Sequence, residues 1–288
     1  MSANRWTWRA TADAATFRED IAELVAADPV GYSVIASVLD TALETGRYPQ
    51  ARWFTVAAGS AAGAPLVGAA MCTPPHPVHV ASCLPSVAAA LVEVVAATFA
   101  DPDAVTGVAG FRAGAEAFAD AWCRHTGRNS HEGRALGLFE LPGNPTLPYA
   151  VEGRSRLATE SDLALVNRWG VAFGVAVGSV PVGAEPLTPQ VAGRRVWLWE
   201  DPTGTVVSMA AATVPQGGVR RVGWVYTPPE LRGRGYAAGV VQALSAAVLA
   251  EGNRCVLYTD LSNPTSNDIY QRIGYQRIGD SVEISFTA

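Results

Sequence analysis

The run Thr227-Pro228-Pro229-Glu230-Leu231-Arg232-Gly233-Arg234-Gly235-Tyr236-Ala237 concentrates residue types that suit an anion. Its last part opens an apolar segment with Val240, Val241, Leu244 and Val248 at helical spacing. The first amides of that helix therefore point outward without intrahelical acceptors, at the positive end of the dipole, which makes a phosphate cradle. Gly233 and Gly235 let the backbone approach a diphosphate, and Arg232 and Arg234 can add charge to a site holding several phosphate oxygens. Glycines at a strand-to-helix turn also serve the turn alone, and Gly-x-Gly by itself does not separate the two readings. Downstream, Asn263 before Pro264 reads as a helix cap with proline at the first helical position. Capping alone explains it, as does capping combined with a coenzyme contact. Tyr270 lies seven residues on, two turns along the same helix and on a similar face. A phenol near pKa ~10 is roughly matched to a thiol near ~8.5, so it suits protonation of a leaving thiolate. A tyrosine packed in the core is the plainer alternative.

The elements that must position these groups follow from periodicity and turn chemistry. Pro and Gly in Leu141-Pro142-Gly143-Asn144-Pro145-Thr146-Leu147-Pro148 forbid regular structure and place a domain boundary there, giving domains 1–145 and 152–288. Thr159-Glu160-Ser161-Asp162 offers an N-cap before Leu163, Val166 and Trp169, spaced as one helical face. Strands are expected over 195–200, 205–214 and 220–226, the first two closed by Asp201-Pro202-Thr203-Gly204 and Pro215-Gln216-Gly217-Gly218, an antiparallel meander. In the third, Val222, Trp224 and Tyr226 alternate as one face. A long helix, a strand over 255–259, a short helix over 266–272 and a strand near 282–286 complete the order α, β, β, β, α, β, α, β.

Arg232, Gly235 and Ala237 fit the (Q/R)xxGx(G/A) signature of the Gcn5-related N-acetyltransferases (GNATs). Asn263-Pro264-Thr265-Ser266-Asn267-Asp268-Ile269-Tyr270 with Gly274-Tyr275 makes a second linked match, and the resemblance covers roughly residues 155–288. It implies an α/β (α+β) fold, a mixed and mostly antiparallel sheet flanked by helices, with acetyl-CoA as cosubstrate and no metal. It further implies that the strand ending in Val225, Tyr226 and Thr227 splays from its neighbour and bonds the pantetheine arm. Amides of Gly233, Arg234, Gly235, Tyr236 and Ala237 would hold the pyrophosphate, with Asn263 and Ser266 also touching coenzyme. The reaction is then direct attack of a neutral primary amine, on a small molecule or peptide, in a ternary complex. A backbone amide near Val225 stabilises the oxyanion and Tyr270 acts as general acid. Glu230, Glu200, Glu185 and Asp260 are the acidic candidates for the base, and a water relay serves as well. An acyl-CoA sensor without catalysis is the alternative function. A nucleotide-binding oxidoreductase is disfavoured, because Ala238 stands where the third glycine of the dinucleotide fingerprint belongs and the meander fits poorly.

Composition narrows the field. All 21 basic residues are arginine, so neither a P-loop lysine nor a Schiff-base lysine exists. Nine arginines stand against fourteen acids in residues 1–150 and twelve against twelve in 151–288, so neither half reads as a nucleic-acid binder. The longest apolar stretch, 87–100, is broken by Glu93 and falls short of the roughly 20 residues of a membrane span. The first twenty residues lack an apolar signal core. Cys72, Cys83, Cys123 and Cys255 lack metal spacing and read as buried reduced thiols of a cytoplasmic chain, with a homodimer left open. The cluster Pro74-Pro75-His76-Pro77-Val78-His79 reads as a stiffened loop. Residues 1–150 echo the second half at an offset of 147. Cys123-Arg124-His125-Thr126-Gly127 falls against 270–274, and Pro85-Ser86-Val87-Ala88 against 232–235, helix against helix in both blocks. Proline and serine replace the cradle and Cys123 replaces the phenol, so the first half reads as a degenerate GNAT-like or accessory domain.

Overall fold

The computed structural model describes residues 6–61, 63–99, 101–177 and 187–288. In chain order its elements are β1 (Trp6–Thr11), α1 (Ala14–Asp20), α2 (Ala22–Ala27), α3 (Ser33–Thr45), β2 (Arg52–Ala58), β3 (Leu66–Cys72), β4 (Val78–Val80), α4 (Pro85–Thr98), β5 (Gly107–Phe111), α5 (Arg112–Thr126) and β6 (Asn129–Leu141). There follow β7 (Arg154–Leu157), α6 (Leu163–Ala176), α7 (Thr188–Ala192), β8 (Val196–Glu200), β9 (Val206–Ala212), β10 (Val219–Tyr226), α8 (Tyr236–Ala250), β11 (Arg254–Asp260), α9 (Pro264–Ile273) and β12 (Gln276–Thr287). Two compact units result: the chain up to Gly137 together with Gly279–Ala288, and Leu138–Ile278. The expected division at 145–152 gave the last strand to the second half, whereas β12 pairs antiparallel with β5 in the first, from Ser281↔Phe111 to Ser285↔Gly107. Its Val282, Ile284 and Phe286 bury against α4 and α5.

In the second unit the sheet runs from the end of β6 through β11, β10, β9 and β8 to β7. The meander β8-β9-β10 is antiparallel as expected, and β10 pairs parallel with β11. The short β7, antiparallel to β8, was not foreseen: four residues reading Arg-Ser-Arg-Leu carry too little alternation to announce a strand. Alternation sorts β8 by face, with Trp199 toward α8 and α9, and Val196 and Leu198 toward α6. Where the sequence placed a cap, Thr159 and Asp162 form a capping box around the 3-10 turn Glu160–Asp162 that leads into α6. Arg156 then ties three elements together. It forks onto Asp162 at 2.7 and 2.9 Å and reaches Glu200 at 2.5 Å, which Arg154 also contacts at 2.9 Å. The arginine holds the Asp162 carboxyl down at about 2, so this brace is complete above the ordinary carboxylate range and is lost only as pH falls through that value.

The first unit repeats the order strand, helices, three strands, helix, strand, helix, strand, with α1 to α3 on one face and α4 and α5 on the other. The 147-residue offset holds from β5 onward: β5 and β11 begin at Gly107 and Arg254, and Gly127 and Gly274 both end their helices in the left-handed conformation. It fails earlier. α4 begins at Pro85, four residues after β4, whereas 232–235 is loop and α8 begins nine residues after β10. The expected helix-against-helix match of 85–88 with 232–235 is thereby corrected, because the extra loop residues belong to the second unit alone.

α8 lies so close to its sheet that a side-chain carbon built at Gly239 would stand 3.0 Å from the Trp199 indole. Gly239→Val overfills this contact, and a loss of roughly 1–3 kcal/mol is expected. Thermal unfolding checks this as a lowered Tm of the second unit's transition.

Candidate functional site

The site begins at an irregularity in β10. Val222 and Gly223 face Ala212 and Ala211 on β9, but the next pair is Tyr226↔Met209, so three residues on β10 oppose two on β9. This bulge is marked by Trp224, a bulky residue at φ 48, a conformation tolerated only where the surroundings impose it. The extra residue reverses the faces. Val222 packs in the α8 core, Val225 packs against that same core, and Trp224 and Tyr226 pack on the α6 side, the Tyr226 ring 5.9 Å from Trp169. The expected single face of Val222, Trp224 and Tyr226 is therefore corrected. Period-two reading cannot see an inserted residue.

At the bulge β10 has already left β11. Their parallel register runs from Val219↔Arg254 to Val222↔Leu257, while β10 continues to Tyr226 and β11 to Asp260. Ser208 Oγ donates to Tyr226 O at 3.1 Å from the β9 side and lies 2.9 Å from Thr227 Oγ1. Past Val222 the edge of β10 away from β9 has no pairing with β11, and Val225 and Thr227 lie along that unpaired stretch.

The loop from the gap to α8 is held from within. Arg232 Nε donates to Thr227 O at 3.0 Å, which fixes the guanidinium beside the end of the strand. Gly233 and Gly235 lie at φ 76 and 80, values that tax any other residue, and nothing stands within 4 Å of a carbon built on Gly233. Arg234 is exposed and lowers the Asp201 carboxyl pKa slightly, behind the larger effect of the Thr203 hydroxyl. Gly235 caps α8 with no side-chain hydrogen bond, so the amides opening the helix at Tyr236 and Ala237 remain uncapped. The Tyr236 side chain is buried in the core and contributes only its backbone here.

Asn263 does what its sequence position implied: Oδ1 accepts from Ser266 N at 3.2 Å, capping α9. Tyr270 sits on the same helix in the core that Val225 packs against, 8% exposed, and its ring meets Tyr275 edge-on at 6.0 Å. Burial is the one cause acting on its phenol, which rises to about 12. It is a weaker acid than the sequence suggested and remains protonated throughout the neutral range. Tyr275 OH is engaged instead, 2.8 Å from Ser245 Oγ and 3.1 Å from Cys255 Sγ, and its pKa is pushed well up by burial. Sequence reasoning missed Ser208 and this buried trio. A lone serine in the run Val206–Ala212 was the available signal for the first.

The acidic candidates part company. Glu200 is buried beneath Arg156 and Arg154, which hold it below its ordinary range, and so is a poor base. Asp260 Oδ1 accepts from Ser262 N and Oγ. Glu230 is exposed, and Glu185 lies outside the described residues. Cys72 and Cys255 are buried, whereas Cys83 and Cys123 are half-buried, and all four are free thiols. Among the described residues no three His, Cys, Asp or Glu side chains gather as metal ligands, and no helix is long and apolar enough to cross a membrane.

Residues 203–284, spanning β9 through most of β12, match the family model described as FR47-like protein. No curated protein matches the chain. Solved structures do. A GCN5-related N-acetyltransferase from Sphaerobacter thermophilus superposes with a TM-score of 0.64 at 17% identity, over 99% of this chain and 97% of that one. An acetyltransferase of the GNAT family from Colwellia psychrerythraea gives 0.60 at 14%, over 98% and 100%. A tandem GNAT protein from the clavulanic acid biosynthesis pathway gives 0.56 at 14%, over 98% of each chain. The chain has the fold of the GNAT superfamily.

Tyr270, Tyr275 and Cys255 all titrate above their unfolded values of 10.0, 10.0 and 9.0. The unfolded chain gives up these protons first, so the stability they contribute is whole below about pH 9 and declines as pH rises toward 12. Chemical denaturation between pH 8 and 11 should show that decline, and Tyr275→Phe should flatten it.

Proposed function

We propose that the chain transfers the acetyl group of acetyl-CoA to a primary amine of a small molecule or peptide. The observation that carries this reading is the parting of β10 from β11 beside the uncapped start of α8. A parted strand offers backbone groups to an extended arm, as in strand addition, and an uncapped helix start receives phosphate. Val225, Tyr226 and Thr227 line the pantetheine path in this reading, with contacts from the outward groups of Val225 and Thr227. The amides of Gly233, Arg234, Gly235, Tyr236 and Ala237 hold the pyrophosphate. Arg232 and Arg234 add charge there, and Asn263 and Ser266 border the coenzyme from the start of α9.

The neutral amine attacks the thioester carbon directly in the ternary complex. The Val225 amide donates to the oxygen as negative charge develops on it. As the C–S bond breaks, Tyr270 gives its proton to the departing sulfur, and the proton shed by the attacking nitrogen passes to water, which returns one to the phenol. A phenol at about 12 never loses its proton to neutral solvent, so it is loaded at every turnover. Residues 1–145 are, in this proposal, a degenerate copy: α4 starts at Pro85 with Leu84 before it, and the four residues between β4 and α4 are too few to build the cradle of the second unit. Likeness to GNAT-fold enzymes, the tandem protein among them, supports the same reading.

Acetyl-CoA at a hundredfold excess over Kd should stabilise the protein by roughly 2.7 kcal/mol, read as a thermal shift. An unmoved Tm at millimolar ligand overturns the proposal. Gly235→Glu sets an anion on a left-handed residue at the cradle, and binding and turnover should vanish together. Tyr270→Phe should leave the thermal shift intact while turnover drops about 10²–10⁴-fold. Full turnover in that variant assigns the proton to water, and intact binding with no turnover of any amine by the wild type points to an acyl-CoA sensor instead.

A further inference from the structure

β10 carries two successive arginines on opposite faces, and they are treated differently. Arg220 is buried and answered, its Nη1 2.5 Å from Glu251 Oε2 and its Nε donating to Thr213 O at 3.0 Å. Arg221 is not answered. Its Nη1 is sealed from solvent with no hydrogen-bond partner among the described residues, and the neighbour it senses electrostatically is the Tyr258 phenol. Leaving a charged donor sealed and unpaired is costly, more so than for a neutral group. A donor left in this state calls for a partner beyond the described residues.

Where the donor stands says what that is. Val222 packs toward α8, so Arg221 turns to the α6 side, the face of Trp169, Trp224 and Tyr226. Arg221 pairs with Val256, one step before β10 and β11 part. The next residue on its face is Gly223, and a side-chain carbon built there meets no described atom within 4 Å. Open space, a guanidinium whose Nη1 has no described partner and an aromatic wall thus adjoin the gap on the face opposite α8 and Tyr270. Val225 lies four steps along the strand from Arg221, about 13 Å, which the arginine's own length shortens.

We infer that the acceptor amine carries an oxyanion, a carboxylate or a phosphate, which Arg221 receives on the α6 face of this gap. The inference rests on the acetyl-transfer reading above. A guanidinium fork matches either oxyanion through paired N–H donors, and it discriminates strongly because the neutral analogue leaves the buried donor unsatisfied.

Matched pairs of acceptors test it through the initial rate of thiol release from acetyl-CoA: phenylalanine against phenethylamine, and phosphoethanolamine against ethanolamine. In the wild type the anionic member of at least one pair should have a kcat/KM about 10–100-fold higher, and the pair that shows it names the oxyanion. Arg221→Met should bring that ratio near one while the acetyl-CoA thermal shift persists, and its ligand-free Tm should hold or rise as the unpaired charge is removed. Arg221→Lys should keep part of the ratio, and with the wild-type ratio it decides the matter if the methionine variant does not fold. Equal or better turnover of the neutral members, or an unchanged ratio in Arg221→Met or Arg221→Lys, overturns the inference and leaves acetyl transfer standing. No thermal shift with acetyl-CoA and no thiol release from any amine removes both.

Discussion

One inserted residue in β10 sets the terms for the second unit. The bulge between Gly223 and Tyr226 lets the strand keep its pairing with β9 while its other edge leaves β11 after Val222. The same insertion turns Trp224 and Tyr226 toward α6 and Val225 toward the α8 core, so two chemically different surfaces meet at one place. The left-handed Trp224 is the local cost, and Ser208 beneath Tyr226 O and Thr227 helps to hold the strand in that shape.

If the gap serves the proposed transfer, the groups around it need fixed neighbours, because such a geometry is useful only when its supports do not move. Arg156 joins β7, β8 and the start of α6 through two carboxylates, so the α6 face is braced by hydrogen-bonded ion pairs rather than by apolar contact alone. On the opposite face Tyr275 is locked by Ser245 and Cys255 and presents its ring to Tyr270. Tyr270 thus gains a fixed packing surface, while no described residue hydrogen-bonds its hydroxyl. Gly239 lets α8 settle against Trp199, and Trp199 is itself held by a hydrogen bond to Glu152 O at 3.0 Å.

The two units share an order of elements and differ where the loop between strand and helix lies. β4 is three residues long and stays paired with β5 throughout, from Val78↔Val108 to Val80↔Gly110, with Gly110 allowing an approach to Val80 O that a side chain would block. No parted edge arises there. A common scaffold thus carries a gap and glycine loop in one copy and a closed, fully paired edge in the other, which is how function is grafted on a fold rather than implied by it.

Residue type and spacing alone determined a good part of this. The meander, the two helices and strand that follow it, the glycine turn and the Asn263 cap are all local: a cap needs three residues and a helix face needs seven, and both lie within reach of the sequence. Tertiary structure decided the rest. The burial that raises the Tyr270 phenol, the brace that removes Glu200 as a base and the lack of a partner for Arg221 Nη1 among the described residues each depend on residues distant in the chain. So does the place of β12. Its alternating Val282, Ile284 and Phe286 state that one face must be buried, but strand pairing is satisfied by any open edge of matching register, and only the assembled unit offers the edge of β5.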